Sequence, residues 1–164
     1  LAEAIVGELT GKRLKTFPSR IESWSKFKAR APEGLVLAPP GGRPYDVNPN
    51  RNYDSSRRPF FYEGEVPKNI SALARVVFLD DKSQAWSLNL LRSKQKLVLE
   101  DGTILTWEAG QNSALDTWNI ADGRDVGNVI VQKDSGNGLV DTFYSIDFAF
   151  AFHAFHPEAL IHVE

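Results

Sequence analysis

Two carboxylates, Asp116 and Asp125, stand with Asp122 and Arg124 in the run LDTWNIADGRDVG, and no other group in the chain offers as much chemistry. Paired carboxylates can divide the roles of general acid and general base, as in the hydrolysis of sugars. The same residues also compose an ordinary turn, in which Asp-Gly bends the chain and a neighbouring arginine closes an internal ion pair, and this structural reading is the one we take. Ser113, in GQNSALD, is a hydroxyl without the GxSxG strand-turn-helix elbow that activates a serine nucleophile. His153, His156 and His162 gather near the end of the chain, with Glu158 and Glu164 close in sequence. On a strand His153 and His156 point to opposite faces, so we expect no shared metal and read them as hydrogen-bonded, partly buried histidines. Phosphate-binding loop, dinucleotide fingerprint and HExxH motif are all missing, and no cofactor is expected.

These groups need a scaffold, and residues 141–156, DTFYSIDFAFAFHAFH, supply the strongest signal for one. Tyr144, Ile146, Phe148, Phe150 and Phe152 share one parity; Ser145, Asp147, Ala149, Ala151 and His153 share the other. Alternation of this length predicts one long central strand with an aromatic core face and a small, polar-tipped opposite face. At about 3.3 Å per residue, such a strand holds Asp147 and His153 roughly 20 Å apart. They then cannot act on one bond, and the GRDVG turn becomes the candidate partner for His153.

Upstream, alternation around Gly7 and Gly11 predicts two short strands with a tight connection. One short helix is expected near residues 20–31, with Ser19 and Glu22 as a capping box and Ile21, Trp24 and Phe27 as a core-facing stripe; Pro32 and Gly34 end it. Residues 35–38 read as a short strand. Residues 39–67 are crowded with proline, glycine, asparagine and aspartate, which predicts a long irregular loop. Its rings, Tyr45, Tyr53, Phe60, Phe61 and Tyr62, argue for a loop laid over the body of the domain rather than a disordered one. Its arginines, Arg43, Arg51, Arg57 and Arg58, are suited to an anionic ligand or partner, although a solvated surface explains them more simply. A β-meander follows: strands at 72–79, 84–88, 96–99, 103–107 and 128–132, turns at 80–82 and at Asp101-Gly102, a helical turn at 88–92, an irregular stretch at 110–127, and a last edge strand at 159–163. The fold class is mainly β, a β-rich α+β domain built as an antiparallel sheet or as an open barrel or sandwich.

Composition sets the limits. A chain of 164 residues, 42% of them hydrophobic, is long enough for one domain with a real core, so we assign 1–164 to a single domain. A net charge of -2 and an isoelectric point near 6.0 give no electrostatic reason to expect nucleic acid. Without cysteine, disulfides and thiolate metal sites are excluded within the chain. No run reaches the roughly 20 apolar residues of a membrane-spanning helix, so membrane association is expected only through a partner or an upstream segment. A leucine at the first position and the absence of methionine suggest a processed chain or a fragment.

The order of several blocks carries a resemblance. EAIVGELTGKRL, QAWSLNLLR, TWEAGQNSALDTWNIADGRDVGNVIVQ and YSIDFAFAFHAFHPEALIH together resemble the C-terminal part of the bacterial and archaeal family of domain of unknown function 3179. The loop PYDVNPNRNYD is similar to the family's tyrosine-rich NPY-type loop, with Asn50 where an aromatic is usual. The resemblance implies a longer, exported protein, periplasmic or extracellular, with a cysteine-containing CPxC-like segment upstream that this chain lacks. No activity comes with it. We therefore expect a non-catalytic binding module or accessory subunit of a larger envelope complex, meeting other protein subunits through Tyr45, Tyr53, Arg57, Arg58, Phe61 and Tyr62. The alternative is a hydrolase or carbohydrate-active domain using Asp116, Asp125 and His153 as acid-base groups.

Overall fold

A computed structural model describes residues 3–38, 41, 48–79 and 83–164. Two open four-stranded sheets form the body, and neither closes into a barrel. The first comprises β1 (Arg75–Leu79), β2 (Gln84–Ser87), β7 (Tyr144–Phe148) and β8 (Leu160–His162), in the order β7-β1-β2-β8. The second comprises β3 (Lys96–Val98), β4 (Ile104–Glu108), β5 (Asn128–Asp134) and β6 (Leu139–Asp141), paired in sequence order as an antiparallel meander. In the first sheet only β8 runs parallel to its neighbour, β2, and it forms the expected edge strand. Three short helices, α1 (Trp24–Arg30), α2 (Leu88–Lys94) and α3 (Ala149–Phe155), complete the architecture. The mainly β fold class stands.

Side-chain alternation along β1 divides the interior in two. Val77 faces a core shared by both sheets and α2, with Trp86, Leu90, Leu91, Leu105, Trp107, Val129, Val131 and Tyr144. Val76 and Phe78 point the opposite way, into a second cluster with Ala85, Ala149, Phe152 and Ile161. The first sheet is thus buried on both faces, which suits its near-continuous apolar strands. Between β2 and α2, Ser87 caps the helix by accepting a hydrogen bond from the Leu90 amide at 3.0 Å. The Asp-Gly hairpin joins β3 to β4 as expected, with Gly102 at φ +79°.

The long strand predicted over 141–156 is broken. β7 delivers Tyr144 and Ile146 to the shared core on the expected parity, but ends at Phe148 because its partner β1 ends at Arg75, directly opposite. From there α3 takes over. The amides of Ala149 and Phe150 donate to the carbonyls of Ala74 at 2.7 Å and Ala72 at 3.0 Å, giving the helix start the acceptors it lacks internally. Alanine favours helix, and Ala149, Phe152 and His156 fall at helical spacing, so Ala149 and Phe152 bury together against Phe78. Pro157 ends the helix after His156. His153 and His156 therefore do not alternate across a strand, and the extended-chain separation of Asp147 from His153 does not apply.

Four local expectations near the N-terminus are also corrected. Helix α1 starts one turn late: Ser23 is its N-cap, and Glu22 pairs with Arg30 instead of closing a box with Ser19. Its stripe is not core. Trp24 is 57% exposed, Ile21 is exposed too, and Trp24 stacks on Phe27 at 5.5 Å on the outer surface. Residues 35–38 are exposed coil and pair with no strand among the described residues. The opening residues form a loop closed by a single bridge between Glu3 and Arg13 rather than two strands. The turn expected at 80–82 lies outside the described residues.

Because Phe152 fills the second cluster with almost no exposure, Phe152→Ala is expected to cost about 3–5 kcal/mol in urea unfolding, whereas Phe155→Ala, on the exposed side of α3, should leave the midpoint nearly unchanged.

Candidate functional site

Arg75 is the one charged residue of β1, placed at its first position on the face shared with Val77. Its Nη2 donates to Asp54 Oδ2 at 2.9 Å and Oδ1 at 3.2 Å, and to Ser113 Oγ at 3.0 Å. Ser113 in turn donates to Asp54 Oδ2 and accepts from the Leu115 amide at 3.0 Å. The guanidinium lies 5.8 Å from the centre of the Phe148 ring, and Tyr53 packs on the same ring at 5.3 Å. Burial pushes the Arg75 pKa down, against the pull of Asp54. Ser113 is fully buried with its hydroxyl saturated, so it is a structural hydroxyl and not a poised nucleophile.

This node binds two irregular segments, 48–67 and 110–127, to each other and to the sheet. The Asn52 and Asp54 amides donate to the carbonyls of Asp116 at 2.7 Å and Leu115 at 3.1 Å, and Asn48 Nδ2 donates to Ala114 at 2.7 Å and Thr117 at 3.0 Å. Asp116 accepts from the Arg124 amide at 2.9 Å and from its Nη2 at 3.1 Å. The Arg124 side chain, seconded by its amide, holds the Asp116 carboxyl below the usual carboxylate range. Asp125 accepts three backbone hydrogen bonds, from Gly110 at 2.8 Å, Gln111 at 3.1 Å and Gly127 at 2.9 Å. Burial acts to raise its pKa, and the three amides outweigh it and bring the carboxyl below the ordinary value. Gly127 is held at φ +80° with its Cα against the Trp107 indole, where a side chain has no room. Both carboxylates are thus tied into turns, as their sequence suggested.

Arg75 lines two cavities. One, of about 350 Å³, is lined by three arginines, Arg75, Arg92 and Arg124, with Asp54, Asp125 and Asn89. The other, of about 270 Å³, is walled by Ile21, Leu115, Ile146 and Phe148, with Gln111 and Asn112. Arg75, Leu88 and Val126 line both. A third cavity, of about 560 Å³, lies apart beside Trp86, Leu97 and His162. Of the three residues considered as acid-base groups, only Asp125 lines any of these cavities. Asp116 lines none, and His153 sits on α3, with no hydrogen bond to the GRDVG segment among the described residues. No group of three His, Asp or Glu side chains converges as a metal site among those residues.

Of the residues expected to meet a partner, Tyr45 lies outside the described residues. Tyr53 and Tyr62 turn inward, onto Phe148 and Phe150, and lay the loop over the body. Arg57, Arg58 and Phe61 are exposed, and Phe61 holds a left-handed φ of +59° that presents its ring fully to solvent. Asp54, Arg75 and Arg92 went unnoticed in the sequence. The lone charge in the apolar run ALARVVFL was the available signal for Arg75, since a charge in a buried strand needs a partner.

Asp54→Ala should cost about 3–5 kcal/mol by leaving Arg75 buried and unpaired, and the double variant Asp54→Ala/Arg75→Met should recover part of that loss in urea unfolding. Asp116, Asp125 and Asp141, the last bonded by Arg20, all carry depressed pKa values. Their stabilisation is complete above the unfolded carboxylate pKa of about 3.9 and is lost as pH falls through the lower folded values. The unfolding midpoint is expected to drop steeply below about pH 4, and Asp116→Asn/Asp141→Asn should flatten that drop.

Among the described residues no helix is long and apolar enough to cross a membrane. No curated protein and no solved structure matches the chain. The sequence model described as "Protein of unknown function (DUF3179)" matches residues 1–159, nearly the whole length and not a C-terminal part alone, so the chain belongs to that family.

Proposed function

We propose that the protein is an exported, non-catalytic binding module, acting in the periplasm or outside the cell as an accessory subunit of a larger envelope complex. The observation that carries this reading is the commitment of its carboxylates: Asp125 to three backbone amides and Asp116 to Arg124, with His153 on a separate helix. An acid-base pair needs two titratable groups aimed at one reacting bond. The hydrolase alternative has no such pair to draw on among Asp116, Asp125 and His153.

The surface supports an interface with another protein chain. Tyr53 and Tyr62 anchor the loop 48–67 by their half-buried rings on Phe148 and Phe150, and Arg57, Arg58 and Phe61 are displayed on that base. Aromatic and arginine side chains in that setting are the usual anchors of protein interfaces. The N-terminal segment adds exposed apolar residues, among them Ile5, Val6, Leu14, Phe17 and Trp24.

Native mass spectrometry of the tagged chain recovered from its own envelope fraction should show a complex of fixed stoichiometry. The variant Arg57→Ser/Arg58→Ser/Phe61→Ser, with unchanged thermal unfolding, should lose about tenfold or more of it, as expected for hot-spot truncation. A monomer from both preparations, or an undiminished complex from the variant, overturns the proposal.

A further inference from the structure

The two cavities that share Arg75 differ in chemistry. The larger is lined by three arginines: Arg75 from the start of β1, Arg92 from α2 and Arg124 from the turn before β5. Arg75 and Arg124 are neutralised by Asp54 and Asp116. Arg92 has no carboxylate within ion-pair distance among the described residues; its guanidinium lies 5.8 Å from the centre of the Trp107 ring. The two carboxylates that line the chamber, Asp54 and Asp125, are both satisfied by donors of the protein itself. Arg92 is thus the one guanidinium of the chamber without an ion-pair partner among the described residues.

Past the shared wall of Arg75, Leu88 and Val126, the second cavity offers an apolar side formed by Ile21, Leu115, Ile146 and Phe148, with Gln111, Asn112 and the exposed Asp147 also on its lining. Its volume of about 270 Å³ sits just below the range of about 300–1,000 Å³ usual for small-molecule sites. It suits a short chain or a single ring.

We propose that the two cavities form one bipartite site for a small carboxylate with an apolar body, its carboxylate held by Arg92 at the rim of the cationic chamber and its apolar body in the second cavity. Planar guanidinium matches carboxylate geometry through paired N–H donors. A single negative charge is met by the unpaired Arg92, whereas the second charge of a phosphate monoester dianion finds no free guanidinium and lies beside Asp54 and Asp125. Burial of the apolar body against Ile146 and Phe148 supplies affinity that acetate, which has almost none, cannot draw on. This site does not depend on whether another chain docks on the loop 48–67.

Isotope-labelled whole chain, titrated at neutral pH with hexanoate and benzoate, should show saturable shifts in the indole N–H resonance of Trp107, which donates to the Val126 carbonyl at 3.0 Å on the shared wall. Acetate, hexanol and hexyl phosphate should each bind at least about tenfold more weakly than hexanoate, the loss of one charge-assisted contact or of the apolar body. Arg92→Gln, on the exposed side of α2, should weaken hexanoate by about tenfold and leave hexanol unchanged. Val126→Trp, which narrows the shared wall, should weaken both hexanoate and hexanol. The proposal fails if hexanol matches hexanoate, if hexyl phosphate binds more tightly than hexanoate, if Arg92→Gln binds hexanoate as the wild type does, or if neither carboxylate shifts the Trp107 signal.

Discussion

The ion pair between Arg75 and Asp54, closed by Ser113, is the constraint on which the rest of this structure depends. Two charges removed from water are costly unless each is paired and its remaining hydrogen-bonding capacity is met. Here the guanidinium also lies against Phe148, and the carboxylate receives a second donor from Ser113. The three polar residues come from three separate stretches, so the charges are compensated only when all three are in place. Segments 48–67 and 110–127 contain no strand and only one turn of 3-10 helix among their described residues, yet this contact and the amides around it give both a fixed position. The cavities beside Arg75 are a consequence: irregular backbone held against a sheet edge leaves gaps that two regular layers would close.

The architecture around that node follows from β1. Its central residues are fully buried, with Val77 serving the core between the sheets and Val76 and Phe78 serving the cluster under α3. A strand buried on both faces has no polar side on which to place a charge, so Arg75 sits at its end, where loops can reach it. The same ending sets the length of β7 and the start of α3, because the carbonyls of Ala72 and Ala74, no longer engaged in a ladder, accept the first helical amides.

Much of the chain was legible because its signals were local. The Asp-Gly hairpin, the strands at β1, β2, β4 and β5, the helical turn at α2 and the edge strand β8 each follow from composition and alternation within a few residues. The turn bonding of Asp116 and Asp125 was legible for the same reason, since both bond to groups within sixteen residues of themselves. Where the local signal was ambiguous, the reading failed. FAFAFHAF fits a two-residue period and also contains Ala149, Phe152 and His156 at helical spacing, and nothing within the segment chooses between them. Trp24 and Phe27 fit an amphipathic helix, but a periodic stripe does not say whether another element arrives to cover it.

The sequence by itself determined the family, the mainly β class, the placement of most strands and the turn chemistry of its carboxylates, because these rest on contacts between neighbours in the chain. Only the tertiary structure decided that Arg75 meets Asp54 and Ser113, that three arginines surround one cavity, and that α3 replaces the second half of the predicted strand. Each of those depends on where another segment ends or passes. Asp54 and Arg75 are separated by a loop whose path is set by packing of Tyr53 and Tyr62 on distant rings, and the strand-to-helix switch at Ala149 is imposed by the end of a partner strand more than seventy residues away. Physical proximity of that kind has no local signature, and so the site came into view only once the chain was folded.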